Sequence, residues 1–501
     1  MNLTRQIKRF NNSTVHDFTK FLSFRKKTTQ LSIKDKRKWL QSEKLYGQPT
    51  FKTHPHLLKE NELVQGIKLE EIVTRRTRLA DTIKAYSSSN HTTIKNHLIV
   101  IPSGTKKFIS ASIPYVFRQN SDFLYLTGCL EQDSLLVLEI NEKSTKSVLF
   151  LRPKDKNAEL WDGTRTGPDN AIELFGVDQA FPINGFQDFV EKFKKQSATM
   201  IWYDEKNSDQ KNLSQILNPP KEGFECPTKF IHTLRWIKSE SEIELMRKTC
   251  DIASNAINST IKKSHPQISE HQIFAEVDYQ CRRNGAHMLA YPPVVASGRN
   301  STTIHYINNT QIVKDGDMVL LDAGCEYGGY SSDITRTWPI NGSFTDSQRV
   351  LYEIVLNLQK DLIRNLLNSG GLTLDELFDT MCLRLGKYLQ EIHLIPSDKS
   401  GYDLARAAYK FCPHHVSHYL GMDVHDTALV SRSNKLVPGN VFTVEPGIYM
   451  SEERQDVPEE FRGLGLRIED DVLVTPNMKI EILTSQCAKE TADLLKSVNN
   501  E

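Results

Sequence analysis

Residues 318–338, MVLLDAGCEYGGYSSDITRTW, hold two aspartates, Asp322 and Asp333, on either side of the pair Gly328-Gly329. Two runs of strand-like composition flank that pair, so the stretch reads as a β-hairpin. With Tyr327 and Gly328 as the turn residues, antiparallel partners sum to 655 and Asp322 faces Asp333 directly. Facing partners project to the same side of a sheet. Two carboxylates side by side in an otherwise apolar hairpin repel one another, unless a cation sits between them. The hairpin therefore predicts a metal site. The alternative at this point is an Asp simply solvated at a strand end.

The rest of the chain bounds the possibilities. A length of 501 residues suits two domains of roughly 150 to 250 residues each. Lys and Arg number 63 against 62 Asp and Glu, so no charge excess points to nucleic acid or to an acidic partner. No uninterrupted apolar run approaches the about 18 residues of a membrane span. The eight cysteines (129, 226, 250, 281, 325, 382, 412 and 487) are scattered without a C-x-x-C pair, as in a reducing compartment. Cys325, three positions after Asp322, is the one to follow.

Residues 1–42 are a basic tail, with eleven Lys or Arg against two Asp in the first 40 residues and no long apolar core. That composition is compatible with a mitochondrial presequence, and a disordered basic tail is the plainer alternative. Residues 43–228 read as an α/β domain. A helix over residues 69–86 precedes apolar runs at 98–101, 123–128, 134–140, 147–151 and 199–203, expected as strands of one mixed sheet, with helices near 170–175 and 186–195. The stretch 159–167, ELWDGTRTG, reads as a Gly-rich loop with a packed Trp161. Asn218-Pro-Pro marks a boundary, residues 229–237 a linker, and residues 238–495 a second domain.

In that second domain, capping boxes at Ser239/Glu242 and Ser269/Gln272 open two helices, and the hairpin follows. Thr345/Gln348 and Thr373/Glu376 then open two more, with strands at 441–447 and 464–475. Helix, helix, strand pair is thus written twice, predicting a pseudo-symmetric sheet covered by helices with one central site. Alternation puts Thr443 and Glu445 on one strand face, and Arg467 with Glu469 on another. Between them lies HHVSHYLGMDVHD (414–426), bracketed by Pro413 and Gly421 and so read as strand or loop rather than helix. Taken jointly, Asp322, Asp333, His418, Glu445 and Glu469 form an oxygen-rich, one-nitrogen set. Such a set suits Mn, Fe, Co or Zn in a paired site, and its four formal negative charges ask for about two divalent ions.

At YPPVVASG and IHY (291–306), LDAGCEYGGYSSDITRTWP, HHVSHYLGMDVHD, FTVEPGIY and GLRIEDD, the chain resembles the pita-bread metallopeptidases, and within them the aminopeptidase P family. GQPTFKTHPHLL (47–58) and ELWDGTRTG extend the resemblance to about nine tenths of the chain, with the mitochondrial type most similar. It implies an N-terminal α/β domain with a mixed sheet, and a C-terminal pseudo-symmetric pita-bread catalytic domain. It also implies two divalent metal ions, manganese first, with cobalt, iron or zinc as alternatives. Asp333 and Glu469 would bridge both ions, Asp322 would complete one, and His418 with Glu445 the other. Glu445 would also handle the proton of the bridging water. His305 and His425 match histidines that hold substrate and the developing oxyanion, and His414 one lining the site beyond the cut. Arg467 would orient Glu469 or pair with Asp322, and Tyr449 matches a tyrosine near the metals. Trp161 resembles a tryptophan that reaches into a neighbouring subunit's site, which implies a homodimer. Cys325 is no ligand in the family.

The activity implied is removal of the first residue of peptides or protein N-termini, with Pro preferred second, by attack of a metal-bridging hydroxide. A related activity trims one bulky residue from imported mitochondrial proteins. The location implied is mitochondrial, with the cytosol as a second site. Two rivals stand beside this reading: a prolidase-type dipeptidase using the same ligands, and a non-enzymatic peptide-binding module, against which the complete ligand set counts.

Overall fold

The computed structural model describes residues 44–218, 224–368 and 372–499. The basic tail and most of the Asn218-Pro-Pro segment lie outside the described residues. The first apolar strands assemble one six-stranded mixed sheet. Its order is Phe224–Glu225, Thr199–Trp202, Asn96–Pro102, Leu135–Ile140, Thr145–Leu151, Gln179–Pro182. The three central strands pair antiparallel and the outer neighbours parallel, because helices Pro168–Phe175 and Phe186–Lys194 supply crossovers. Both faces are covered. Ile99, Leu136 and Leu149 pack with the Leu69–Asn90 helix, and Val100, Val137 and Phe150 with the Phe186–Lys194 side. Buried on both faces, these strands read as continuous apolar runs rather than alternation.

One expected strand is a helix. Residues 123–128 belong to helix Ser121–Thr127, because the Asn120 side chain caps it by accepting from the Phe123 N–H at 2.9 Å, and Gly128 ends it in the left-handed region. A short apolar run has no period of its own, and here the cap decides.

All four capping boxes form. Ser239 with Glu242 opens Glu240–Lys263, Ser269 with Gln272 opens Glu270–Arg283, and Thr373 with Glu376 opens Leu374–Glu391. Thr345 and Gln348 exchange both bonds ahead of Asp346–Asn368. These helices flank two three-stranded antiparallel sheets. One joins Val294–Ser297, Met318–Ala323 and Ile334–Pro339; the other joins Val441–Val444, Asp470–Val474 and Ile480–Ile482. The two meet where the Glu469 N–H donates to the Thr335 carbonyl at 3.1 Å. Strand Leu464–Arg467 is held beside them through Thr337 Oγ1, which donates to the Arg467 carbonyl at 3.0 Å.

The hairpin register differs from expectation. Tyr327 pairs with Tyr330 and Asp322 with Thr335, so the turn is Gly328-Gly329, both at positive φ, and Asp322 does not face Asp333. Two consecutive left-handed residues are what a two-residue hairpin turn of the right twist requires. The error is a slip of two in the partner sum, which conserves parity, so Asp322 and Asp333 remain on one face as diagonal neighbours. Between them the ribbon pinches at Gly324, where a Cβ would lie 1.7 Å from the Ser332 carbonyl oxygen.

Candidate metal centre

Asp322 lies in the core strand Met318–Ala323, Asp333 just ahead of Ile334–Pro339, Glu445 just past Val441–Val444, and Glu469 between Leu464–Arg467 and Asp470–Val474. His418 enters from the loop before Tyr419, which bridges to Phe442. Strand ends are where side chains leave the ladder and face a cavity; this one measures about 310 Å³ and has all five at its wall. Asp333, His418 and Glu469 each offer a donor atom within 4.8 Å of the others. His418 Nε2 lies 3.4 Å from Asp333 Oδ2 and 3.5 Å from Glu445 Oε1.

Charge is the notable property of this wall. Four carboxylates face two guanidiniums, those of Arg432 and Arg467, leaving a formal excess of two negative charges. Burial pushes Glu445 up to about 7 against the pull of His418 and Arg467, and burial with Asp333 and Glu445 pushes Glu469 well above the usual carboxylate range. Burial also raises Asp322 despite Arg467. For His418, burial opposes protonation, yet the hydrogen bond to Asp333 and the charge of Glu445 outweigh it and raise the ring to about 9. The donor set fits divalent cations, with hard oxygens in the majority and one imidazole.

The remaining contacts orient these donors. Arg467 donates to Asp322 Oδ2 at 2.5 Å, to Thr335 Oγ1 at 3.0 Å and to the Tyr449 hydroxyl at 2.6 Å. Of its two expected tasks, it therefore pairs with Asp322 directly and reaches Glu469 only through Thr335, whose hydroxyl donates to Glu469 Oε2 at 2.6 Å. His414 Nε2 lies 3.0 Å from the Tyr449 hydroxyl, and burial, then Arg467, lowers its ring to about 4, so it is neutral. His305 and His425 line the same cavity, and the His425 ring stands edge-on to His418 with centroids 4.4 Å apart. Burial, then the charge of His418, lowers His425 below its ordinary range.

Three contributors were missed in the sequence. The Tyr291 hydroxyl reaches Asp322 Oδ1 at 2.6 Å and Asp333 Oδ1 at 2.5 Å, locking the carboxylates together with a single hydrogen. Thr335 stands opposite Asp322 in the ladder, which the correct register would have exposed. Asp471 Oδ2 accepts from the Asp333 N–H at 2.9 Å, a contact between residues 138 apart in the chain. Cys325 is buried with its thiol 3.5 Å from Thr249 Oγ1, as expected of a structural residue. Trp161 is not packed in a loop: it sits on helix Lys156–Asp162, 86% exposed, and does not line the cavity. Asp155 caps that helix by accepting from the Ala158 N–H, and the aromatic side chain is left facing outward.

A cavity lined by four carboxylates and several histidines fits divalent cations and points to a metal-dependent hydrolase. The Metallopeptidase family M24 model matches residues 244–476, and the model for the Aminopeptidase P, N-terminal domain, matches residues 72–202. The chain is 43% identical over 460 residues to Xaa-Pro aminopeptidase 3 of Mus musculus, covering 89% of each chain. It is 36% identical to the mitochondrial Intermediate cleaving peptidase 55 of Arabidopsis thaliana, over 91% of this chain and 88% of that one. The crystal structure of Icp55 from Saccharomyces cerevisiae superposes with a TM-score of 0.78 at 32% identity, covering 88% of this chain and 100% of that chain. The chain belongs to metallopeptidase family M24, in its aminopeptidase P branch, with the pita-bread catalytic fold. It is a metallo-aminopeptidase, and divalent metal ions are the cofactor class of its family. Among the described residues, no helix is long and apolar enough to cross a membrane.

Proposed function

We propose that this enzyme hydrolyses the first peptide bond of peptides and protein N-termini, with proline favoured at the second position, using two divalent ions, manganese by preference. The observation that carries the reading is the convergence of Asp322, Asp333, His418, Glu445 and Glu469 on one cavity with an unbalanced negative charge. When bound, the ions supply Lewis acidity toward the first carbonyl and a lowered pKa for water.

The protein's own groups do the rest. Asp333 and Glu469 would hold both ions, Asp322 one of them, and His418 with Glu445 the other. Arg467 and Tyr291 hold Asp322, and Thr335 holds Glu469. Glu445 would take the proton of the attacking water on its carboxylate and pass it to the leaving nitrogen. His425 and His305 would orient the carbonyl, while His414, braced by the Tyr449 hydroxyl behind it, lines the wall beyond the cut.

The name of the mouse relative supports the Pro preference, and that of the Arabidopsis relative supports a second reading, removal of one residue from processed mitochondrial proteins. The Arabidopsis name also supports a mitochondrial location, and we take the chain as organised into residues 43–228 and 238–495. A homodimer completes the proposal. Trp161 and Leu160, 86% and 82% exposed, extend an apolar surface with Phe108, Ile109 and Ile113 of the adjoining hairpin, tied together where Lys106 Nζ donates to Asp162 at 2.6 Å. Burial of such a surface fits a second copy better than water.

An N-terminal peptide library incubated with enzyme and defined metal tests the reading. Release of one residue, fastest with Pro second and undiminished for peptides longer than two residues, is expected. Cleavage of dipeptides alone would point to a prolidase, and release of bulky first residues regardless of the second would favour the processing role.

A further inference from the structure

Residues 419–426 form a loop that starts beside His418, contains His425, and is closed by the Asp426 N–H donating to the Tyr419 carbonyl at 2.9 Å. His418 and His425 line the cavity, whereas Asp423 and Asp426 face a buried arginine. Arg235, on helix Thr228–Trp236 and 2% exposed, donates to Asp423 Oδ2 at 2.7 Å and to Asp426, and through its other terminal nitrogen to Asp122 Oδ1 at 2.6 Å. Asp122 belongs to helix Ser121–Thr127, whose Phe123 and Leu126 share a core with Ile99 and Leu136 of the six-stranded sheet.

Neighbours reinforce the junction. Lys238 donates to Asp426 Oδ2 at 3.1 Å, and Ser121 to Asp423 Oδ1 at 2.6 Å. Arg118 reaches Glu326 at 2.6 Å and the Met422 carbonyl at 2.7 Å, tying the loop to the hairpin. Gly421 allows this closeness, since a Cβ there would lie 2.4 Å from Asp426 Oδ2. A buried ion cluster adds little net stability, because desolvation offsets attraction; what it does enforce is position, since a displaced member leaves an uncompensated charge. None of Arg235, Asp122, Asp423 and Asp426 lines the cavity, so the cluster acts only through the loop.

We propose that Arg235 is a positioning residue for His425: by clamping Asp423 and Asp426 against Asp122 it fixes the loop, and makes seating of the sheet region a condition of turnover. This rests on the proposed role of His425 at the reacting carbonyl. A group that orients the carbonyl only as it reacts lowers kcat when misplaced and leaves KM nearly unchanged.

The test is a double-mutant cycle on the full chain loaded with manganese, assayed on an Xaa-Pro peptide. Arg235→Met and Asp122→Asn are each made with His425 intact and in His425→Ala. Asp122→Asn removes one partner at the partly exposed end of the cluster and decides the matter alone if Arg235→Met does not fold. With His425 intact, each is expected to lower kcat by about 10-fold or more with KM within about 2-fold and bound metal unchanged. In His425→Ala the same changes are expected to cost less than about 2-fold in kcat. Equal losses in both backgrounds, or none with His425 intact, overturn the inference. If His425→Ala alone leaves kcat unaltered, the role of His425 fails and this inference fails with it; a large loss there combined with additive effects overturns the inference alone.

Discussion

Glu445 is the side chain on which protein and metal chemistry meet. It is raised to about 7 by burial, lies 3.5 Å from His418, and marks the end of a core strand whose other residues are apolar or hydroxyl. Glu445→Gln keeps the shape and the burial but removes the charge and the proton acceptor. It is expected to lower turnover by about 10³-fold or more while leaving the thermal midpoint within a few degrees of the parent, as read by peptide hydrolysis and calorimetry. Unchanged turnover would remove Glu445 from the ligand set. At this scale the sequence was informative wherever chemistry recurs at fixed spacing. Alternation put Arg467 with Glu469, and both indeed meet at Thr335 Oγ1. It was silent on Tyr291 and Asp471, because their contacts to Asp333 depend on how distant strands are stacked, and no local period encodes that.

Elements were legible in proportion to how locally they are determined. The four helices of the catalytic region were marked by capping boxes, in which two side chains satisfy two orphan N–H groups within four residues. The helix at residues 121–127 was not, because its apolar run is too short to show a period and the Asn120 cap was overlooked beside it. The hairpin stands between these cases. Its existence and the shared face of Asp322 and Asp333 followed from composition and parity, but the turn needed the φ preferences of both glycines. Gly324 is the element-scale constraint on the site, since its backbone passes so close to Ser332 that no side chain fits. Gly324→Ala must spread the ribbon between the two aspartates. A loss of at least about 3 kcal/mol is expected in denaturant unfolding, together with weakened metal binding. A stability within about 0.5 kcal/mol of the parent would mean that the ribbon does not pinch there.

For the whole molecule, the question is why an enzyme whose donors all come from residues 322–469 carries a six-stranded sheet region at all. Two answers follow from the contacts. The buried cluster around Arg235 joins the sheet region to the loop bearing His425, and the exposed apolar surface around Trp161 is the one that the proposed homodimer would cover. Trp161→Ala leaves every intrachain packing contact of the core in place, so it is expected to shift sedimentation toward the monomer and to reduce activity several-fold without lowering the thermal midpoint. A fully active monomer would separate Trp161 from the site. The sequence could point to Trp161 only by resemblance. Read alone, a Trp in a Gly-rich stretch suggests packing, whereas the Asp155 cap builds a helix that turns it to solvent.

All of this rests on the claim that five donors, drawn from strands and a loop far apart in the chain, form one metal centre that drives hydrolysis. The most direct measurement strips the purified protein with a chelator and follows release of the first residue from an Xaa-Pro tripeptide as manganese is titrated back. Activity is expected to vanish on stripping and to return in step with binding, saturating near two equivalents, and to stay absent in Glu445→Gln at any metal concentration. Hydrolysis that survives stripping, or that fails to return with the metal, would contradict the account.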